Sequence, residues 1–335
     1  SMATIDFLPF ATGSGANVMS QAEWAALTQR LSGFQSGVAQ SAQLNKAWRQ
    51  SSIMAAVIAG FVADVTGRDV IDDGTTDTIL TNLKAAVSAQ SPVVVGSARN
   101  LTGSAAVGAT TANFTAAELV CESALNALRY CIPNFNATLN LTNVGVNGMD
   151  AGQAPASGSV AIYAIYNPTT KASGLLAQTM PGVASEVYSG ASMPAGFTAS
   201  ALISVVTTNA SRQFNGFVQR DRFIGFAGIG VLGTTAAGGN AFNAHNIGGA
   251  VPANAKTYSG YANANATGAS AVNIAVAANA AGMANQTANM SGSSNGGPIT
   301  WKDVPLTTAQ TAYFYYNAPG ATAQNYSFYI SGYTI

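Results

Sequence analysis

The chain has 335 residues, only 8% of them charged, and its 13 Lys and Arg residues balance its 13 Asp and Glu residues. Globular proteins carry about 25% charged residues, so this composition offers no basic field for nucleic acid and no polybasic patch for anionic lipid. No stretch reaches the roughly 18 to 20 consecutive apolar residues of a membrane span, so no membrane insertion is expected. The first residues also lack the basic and apolar regions of a signal peptide.

The first 92 residues predict a helical region. Ser20 and Glu23 match the capping box S-x-x-E, in which each side chain bonds the backbone N–H of the other residue. We expect the helix that follows to end at Gly33, a residue type that favours helix C-termini. A later helix is predicted after Asp73-Gly74, and Pro92 ends it.

Between these two helices lies the strongest periodic signal, a helix with an apolar seam that Gly67 closes. The seam alternates four-residue and three-residue steps and comprises Leu44, Trp48, Ser51, Ala55, Ile58, Val62 and Val65. This spacing is typical of a coiled coil, and the flanking Met54, Val57 and Phe61 favour more than two helices around one axis. The pattern predicts self-association, and one helix of an intramolecular bundle is the alternative.

Beyond Pro92 the hydrophobic period changes to two and Gly, Thr and Asn turns recur, a pattern typical of β-sandwiches and barrels. The predicted strands lie within 93–115 and at Ala137–Thr142, Ser159–Tyr166, Ala199–Thr208, Arg212–Gln219, Asp221–Leu232, Lys256–Ala262, Ala271–Ala277, Ile299–Val304, Thr311–Tyr316 and Tyr326–Thr334. Residues 285–297 are expected to be a surface loop or a series of β-turns. The fold class is α+β and mainly β, with a helical region followed by antiparallel β-sandwich domains.

Ser159–Tyr166 is the strand around which we expect the sheet to form. Apolar and aromatic residues occupy both of its faces, so both faces must be buried inside the protein. Asn167-Pro168 then stops the strand, because proline cannot donate to a sheet.

Residues suited to catalysis are scarce. The single histidine, His245, lies in a Gly/Asn tract and is expected at the surface or in a turn. Metal ligands do not cluster in the sequence, and Asp72-Asp73 is better interpreted as a turn and helix cap, so no metal and no cofactor are expected. Gly228–Gly233 matches G-x-G-x-x-G but lacks the strand–loop–helix context of a dinucleotide site. Its glycines are expected where backbones approach closely.

A glycosidase is the main enzymatic alternative, and it needs two carboxylates about 5 to 10 Å apart. Beyond residue 130 the acidic residues are Asp150, Glu186, Asp221 and Asp303. Asp221 lies between two arginines, which suits an ion pair better than a catalytic base. We therefore expect the chain not to be an enzyme. Cys121 and Cys131 are expected to be two buried free thiols.

Nine runs of the sequence together carry a resemblance to one known family. They are, in chain order, LPFATGSGANVMSQAEWAAL, SAQLNKAWRQSSIMAAVIAGFVAD, GMDAG, VAIYAIYNPTT, VYSGASMPAGFTASALISVV, FVQRDR, VPANAKTYSGYA, DVPLTTAQTAYFYY and the closing SGYTI. In this order they resemble the tail fibres of bacteriophages and tail-fibre-like proteins. The resemblance spans nearly the whole chain and rests on the collinear order of these runs. Bacteriocin tails (tailocins) use the same kind of fibre.

This resemblance implies an elongated homotrimer at the tip of a tail fibre on the virion. It implies a helical attachment and trimerisation region (1–92) that meets tail or baseplate proteins, a central β-sandwich domain (93–230) and a β tip (231–335) that binds the receptor. It also implies strands within Thr115–Tyr130, where Thr115 and Glu118 match a capping box that favours a helix. We assign a strand to Glu118–Glu122 there.

The expected function is adsorption to a bacterial surface glycan such as lipopolysaccharide, with an outer-membrane protein as the other possible receptor. Sugar sites use aromatic rings and amides, so the candidate ligand-binding residues are Tyr258, Tyr261, Asn263, Trp301, Lys302 and Asp303. For each of them the alternative is packing in the core or between subunits. The alternative functions are a tail-spike depolymerase (glycosidase) and a purely structural fibre or baseplate component.

Overall fold

The structure, a computed structural model, describes residues 3–34, 36, 38, 40–89, 93–291 and 297–335. Its contacts divide the chain into two compact units. The helical unit comprises Ser1–Pro92 with Asn126–Leu128, and the β unit comprises Val93–Leu125 with Arg129–Ile335. The expected division into three domains stays a prediction, and its second boundary, at residue 230, falls inside a strand.

The helical unit contains α1 (Gln21–Ala26), α2 (Gln29–Ser32), α3 (Ser41–Thr66) and α4 (Asp77–Ala89). The predicted capping box is confirmed, because the Glu23 N–H donates to Ser20 Oγ and the Ser20 N–H donates to Glu23 Oε2. The first helix is shorter than expected: the backbone is extended at Leu27, and Gly33 ends the separate α2 instead. Gly67, in the left-handed conformation, ends α3 as predicted. None of the helices in these ranges is long and apolar enough to cross a membrane.

Helix α3 buries one side and leaves another exposed. Ala59, Val62 and Ala63 pack with Val70 and Ala86 in the core of the helical unit. On another side an apolar stripe stays exposed. We call it the α3 stripe, and it comprises Met54, Val57, Ile58 and Phe61, which are 59%, 58%, 43% and 37% exposed. The predicted seam is therefore split, since Val62 lies inside the unit whereas Ile58 lies outside.

The β unit contains two sheets. In chain order the strands are β1 (Ala98–Arg99), β2 (Thr102–Ala105), β3 (Thr111–Glu122), β4 (Arg129–Asn140), β5 (Gly148–Met149), β6 (Ser159–Tyr166), β7 (Ser173–Thr179), β8 (Ala199–Thr207), β9 (Phe217–Arg220), β10 (Phe223–Thr234), β11 (Asn243–Asn246), β12 (Thr257–Thr267), β13 (Ala271–Ala277), β14 (Gln286–Ser291), β15 (Pro298–Pro305), β16 (Thr311–Asn317) and β17 (Ala323–Thr334). The chain is thus mainly β, as predicted.

The large sheet runs in the order β15-β12-β17-β10-β9-β2-β3-β8-β6-β7-β5, with β1 and β4 also paired to β3. The small sheet runs in the order β11-β16-β13-β14. All pairings between named strands are antiparallel except that of β5 with β7. The sheets share one core, in which Phe314 of the small sheet stacks on Phe328 of the large one at 4.4 Å. A sandwich stays a prediction.

Strand β6 occupies the position that its sequence predicts. It pairs with β7 on one edge and β8 on the other, so it is internal to the sheet. Val160 and Ile162 pack into the main core, while Tyr163 and Ile165 on the opposite face pack into a second cluster with Tyr188. Both faces of the strand are buried, as predicted.

Thr115–Tyr130, where the sequence indicated both a helix and strands, contains the end of β3 and the start of β4. β3 continues to Glu122 and pairs with β4, so the helix indicated by the second capping box does not form. At the start of β3 every second residue is buried, and a helix, which has a period of 3.6 residues, could not bury that set on one face.

Both cysteines are free, but only Cys121 is buried. The expectation of a buried Cys131 is wrong, because its side chain points away from the core.

Other boundaries also differ from the predicted ones. Gln286–Ser291, expected as loop or turns, forms β14, which pairs with β13 and places Ala288 and Met290 against the core. Residues 292–296 of that stretch lie outside the described part of the chain. The strand predicted at Arg212–Gln219 is only Phe217–Arg220. The predicted helix end at Pro92 also falls outside the described residues.

Candidate ligand-binding face

Two of the six predicted binding residues lie in the core. The side chain of Tyr258 is fully buried and its hydroxyl donates to the Ala277 carbonyl at 3.1 Å, and burial raises the pKa of that hydroxyl above its ordinary value. Trp301 is 4% exposed and its ring packs against Phe314 and Phe328 at 6.2 and 6.0 Å. These two rings are therefore corrected from ligand contacts to core residues.

The alternation of β15 explains this correction. Trp301 points into the core, whereas the neighbouring Lys302 and Asp303 are exposed. The alternation holds only as far as Lys302. Beyond it the register with β12 shifts between Trp301 and Val304, and Asp303 takes a positive φ of 53°, so Asp303 is exposed as well. Tyr261 and Asn263 on β12 are not buried, so four of the six predicted residues reach solvent.

The four that reach solvent border one exposed surface of the large sheet. We call it the tyrosine–asparagine face. It comprises Tyr261, Asn263 and Asn265 on β12 with Asn325, Ser327 and Tyr329 on β17. The register places these side chains in three rungs, Tyr261 opposite Tyr329, Asn263 opposite Ser327 and Asn265 opposite Asn325. Side chains opposite each other in antiparallel strands lie about 5 Å apart, so each rung is a contiguous pair.

The tyrosine rung is an aromatic pair in which each ring covers one face of the other. The rings of Tyr261 and Tyr329 are stacked, with centroids 4.9 Å apart and planes 13° apart. Gly228 of β10 leaves room for the Tyr261 ring, because a Cβ built there would fall 2.7 Å from Tyr261 Cε1, whereas a Cβ on Gly230 would make an ordinary 3.5 Å contact with Tyr329 Cε1. The glycines of β10 were expected where two backbones approach closely. Gly228 and Gly230 instead lie next to aromatic rings.

The polar groups of the face are open to a ligand. In the part of the chain that the structure describes, no hydrogen bond within the protein engages the side chains of Asn263, Asn265, Asn325 or Ser327. An amide offers two donors and an acceptor, and a serine hydroxyl offers both roles. These groups are therefore available to bind hydroxyls from outside.

The charge near the face is small and balanced. Among the residues of β10, β12, β15 and β17, only Lys302 and Asp303 are charged. Their side chains lie 3.9 Å apart and both are exposed, so they form a solvated ion pair at the edge of the sheet.

Tyr326 lies between two rungs and its side chain points inward, where burial raises its pKa.

A second open surface lies further along the same sheet. It is a groove of about 530 Å³ near Val107, Val218, Phe223 and Phe226, with Ser331 at its border. Val107 and Val218 are 77% and 64% exposed. This groove is apolar and carries no amide side chain, so it lacks the hydrogen-bonding groups of the tyrosine–asparagine face.

The single histidine lies in a strand rather than in a turn, and it is partly buried. His245 lies in β11, its ring stacks on Phe314 at 5.1 Å, and its Nε2 atom is buried without a hydrogen-bond partner. Burial lowers the pKa of His245. Within the described ranges no group of three or more His, Cys, Asp and Glu side chains is placed to hold a metal ion.

Of the four acids considered for a glycosidase, two lie in one neighbourhood. Tyr188 donates to Asp150 Oδ2 at 2.9 Å, and burial together with this bond raises the pKa of Tyr188 to about 12. Burial also raises the pKa of Tyr163, and the carboxylates of Glu186 and Asp150 add to that effect. Asp221 lies at the β9–β10 turn, and Asp303 lies on β15.

Four residues of the face were not among the six predicted binding residues: Asn265 on β12 and three on β17. Tyr329, Ser327 and Asn325 lie on β17, whose alternation of large apolar and polar residues is visible in the sequence. The missing information was the register with β12, which joins strands far apart in the chain.

No protein-family model matches the chain, and no curated protein matches its sequence.

Proposed function

We propose that the chain is a receptor-binding adhesin of a phage tail or a tailocin, which adsorbs to a bacterial surface glycan such as lipopolysaccharide. The observation that carries this proposal is the tyrosine–asparagine face, where a stacked aromatic pair adjoins open amides. Aromatic rings cover the apolar side of a sugar and amides bind its hydroxyls, and ligand sites in general combine such groups. The collinear resemblance to tail fibres supports the same function.

The proposed mechanism is multivalent and non-covalent. Three copies of a weak, shallow site on one fibre raise the overall affinity through effective concentration, without new contacts. The α3 stripe supports a homotrimer, because four apolar side chains on one side of a charge-poor helix remain exposed in the single chain. Second and third copies of the chain are the proposed occupants of that stripe.

In this proposal the helical unit attaches to tail or baseplate proteins and the β unit meets the host, at the tip of a virion tail fibre. The receptor is a polysaccharide, and an outer-membrane protein is the alternative. The chain needs no chemistry of its own, since adsorption forms and breaks no covalent bond.

The experiment that tests the function is binding of the fluorescently labelled full chain to a panel of bacterial strains, with extracted lipopolysaccharide as competitor. We expect binding to some strains and its loss on competition. A chain that binds no strain would be a structural component. Release of reducing sugar from purified polysaccharide, abolished by Asp150→Asn or Glu186→Gln, would instead identify a depolymerase.

Light scattering tests the oligomer. We expect a trimer, and we expect Val57→Asp on the α3 stripe to yield smaller species because a buried charge without a partner is costly. Thr81→Asp, which places the same charge on an exposed position of α4, is the matched control. A wild-type monomer at micromolar concentration would contradict the proposed homotrimer.

A further inference from the structure

We infer that the ligand of the tyrosine–asparagine face is an uncharged polysaccharide that lies along β12 and β17. This inference rests on the proposed function and names the class of glycan that the face takes. Three properties of the face carry it: its charge, its length and the order of its side chains.

The first property is charge. The three rungs contain no ionisable side chain other than the two tyrosines. At the edge, the ammonium of Lys302 is already offset by Asp303 at 3.9 Å. A polymer of uronates, sialic acids or phosphates would find no unpaired cation here to offset its charge, and recognition of such groups normally uses Arg or Lys. Neutral hydroxyls match the open amides instead.

The second property is length. The register between β12 and β17 is continuous from the tyrosine rung through Asn263 and Ser327 to the rung of Asn265 and Asn325. Strands rise about 3.4 Å per residue, so the first and last rungs, four residues apart, lie about 14 Å apart. That distance exceeds one sugar ring, and the face therefore fits consecutive units of a chain.

The third property is order along the strands. The aromatic pair lies at one end of the face and the two opposed asparagines lie at the other. One sugar unit is thus placed against the outward side of the stacked Tyr261–Tyr329 pair, while the next unit reaches the amides of Asn265 and Asn325. Such a division favours a repeating polymer over a single sugar, because the two ends provide different contacts.

The test uses polysaccharide purified from a strain that the chain binds, separated by anion exchange into a neutral and a retained acidic fraction. We expect the neutral fraction to compete for binding. We expect that competition to change less than about twofold between about 0.05 M and 0.5 M NaCl, because screening acts on charged ligands. Asn265→Ala combined with Asn325→Ala should weaken binding about tenfold, and Tyr329→Ala by at least as much, a change of about 1.4 kcal/mol.

Asn289→Ala is the matched control, since it removes an exposed strand asparagine of β14 outside the face. Competition by the acidic fraction alone, or a steep loss with salt, would overturn the neutral class while leaving adsorption intact. Loss of binding after protease treatment of the cells would identify a protein receptor and would also overturn it. A changed oligomeric mass in the asparagine or Tyr329 variants would place the face between subunits. Failure to bind any strain would remove the proposed function itself.

Discussion

Strands β6 and β12 belong to the same sheet but are covered differently. Both faces of β6 are buried, one in the main core and the other beneath the cluster that contains Tyr163 and Tyr188. On β12 both faces are buried only as far as Gly260. From Tyr261 onward one face is buried through small residues such as Ala262 and Ala264, while the other carries the tyrosine–asparagine face. One end of the sheet is therefore covered on both faces, whereas the other leaves part of one face exposed.

The pairing of residues between β12 and β17 accounts for this difference in burial. Inward-pointing alanines of β12 lie opposite large rings of β17, with Ala262 opposite Phe328 and Ala264 opposite Tyr326. The large rings of β17 fill the core, and the alanines of β12 leave space for them. It leaves the outer side of β12 free to carry polar groups that packing does not require.

The largest predicted effect compares a tyrosine from each end. Tyr163 is fully buried, donates to the Ser185 carbonyl at 3.0 Å and meets Tyr188 edge-to-face at 5.5 Å. Tyr163→Ala should therefore lower the free energy of unfolding by about 3 to 5 kcal/mol. Tyr329→Ala removes one stacked pair and should cost only about 1 kcal/mol. Urea unfolding of both variants measures this, and equal losses would contradict the comparison.

Trp301 gives the second prediction, within the end that carries the face. Trp301→Ala should destabilise the β unit by about 3 to 5 kcal/mol, because it opens a cavity beside Phe314 and Phe328. Trp301→Phe should cost less, since it keeps a ring and removes an indole Nε1 that is buried without a hydrogen-bond partner. A melting temperature unchanged in Trp301→Ala would return this ring to the surface.

These residues also mark what the sequence could predict. The period-two pattern of Ser159–Tyr166 identified a strand buried on both faces, because both sets of alternate residues are apolar. The same rule applied to Ile299–Lys302 would have turned Trp301 inward and Lys302 outward, although it fails at Asp303, where the register with β12 shifts. Weight given to neighbouring charges, rather than to alternation, produced the wrong assignment.

The candidate face could be predicted only in part. Tyr261 and Asn263 were found from their residue types, but their partners Tyr329 and Ser327 are brought to them by pairing of strands distant in sequence. Composition carries no information on that register, which depends on turns and on the shared core. Similarly, which residues of the α3 seam are buried depends on which side of α3 is covered by α4 and the N-terminal segment.

The third prediction concerns Gly228, which underlies the tyrosine rung. Gly228→Ala should push the Tyr261 ring away from its position and lose part of its stacking with Tyr329, a cost of about 1 kcal/mol. Gly233→Ala is the control on the same strand, where an added Cβ meets no atom within 4 Å. Thermal unfolding and glycan binding of the pair measure both consequences, and indistinguishable variants would contradict the glycine–ring contact.

The smallest effect is a pH dependence confined to the end with the face. Burial lowers the pKa of His245, so in the folded protein this ring is neutral at pH values where the unfolded chain, with a pKa of about 6.5, binds a proton. The stability that His245 contributes is fully present above about pH 6.5, and it falls as the pH drops from there toward the lowered folded pKa.

His245 stacks on Phe314, which stacks on Phe328 of β17, so protonation acts behind the tyrosine–asparagine face. The chain has no other histidine, and ordinary carboxylates titrate lower, near pH 4. Between about pH 6.5 and 5 we therefore expect amide hydrogen exchange to increase in β16 and β17, after correction for its intrinsic pH dependence, and to change least in β6. His245→Phe should remove this difference between the two ends. Equal acceleration in β6 would show that acid acts on the sheet as a whole rather than through this ring.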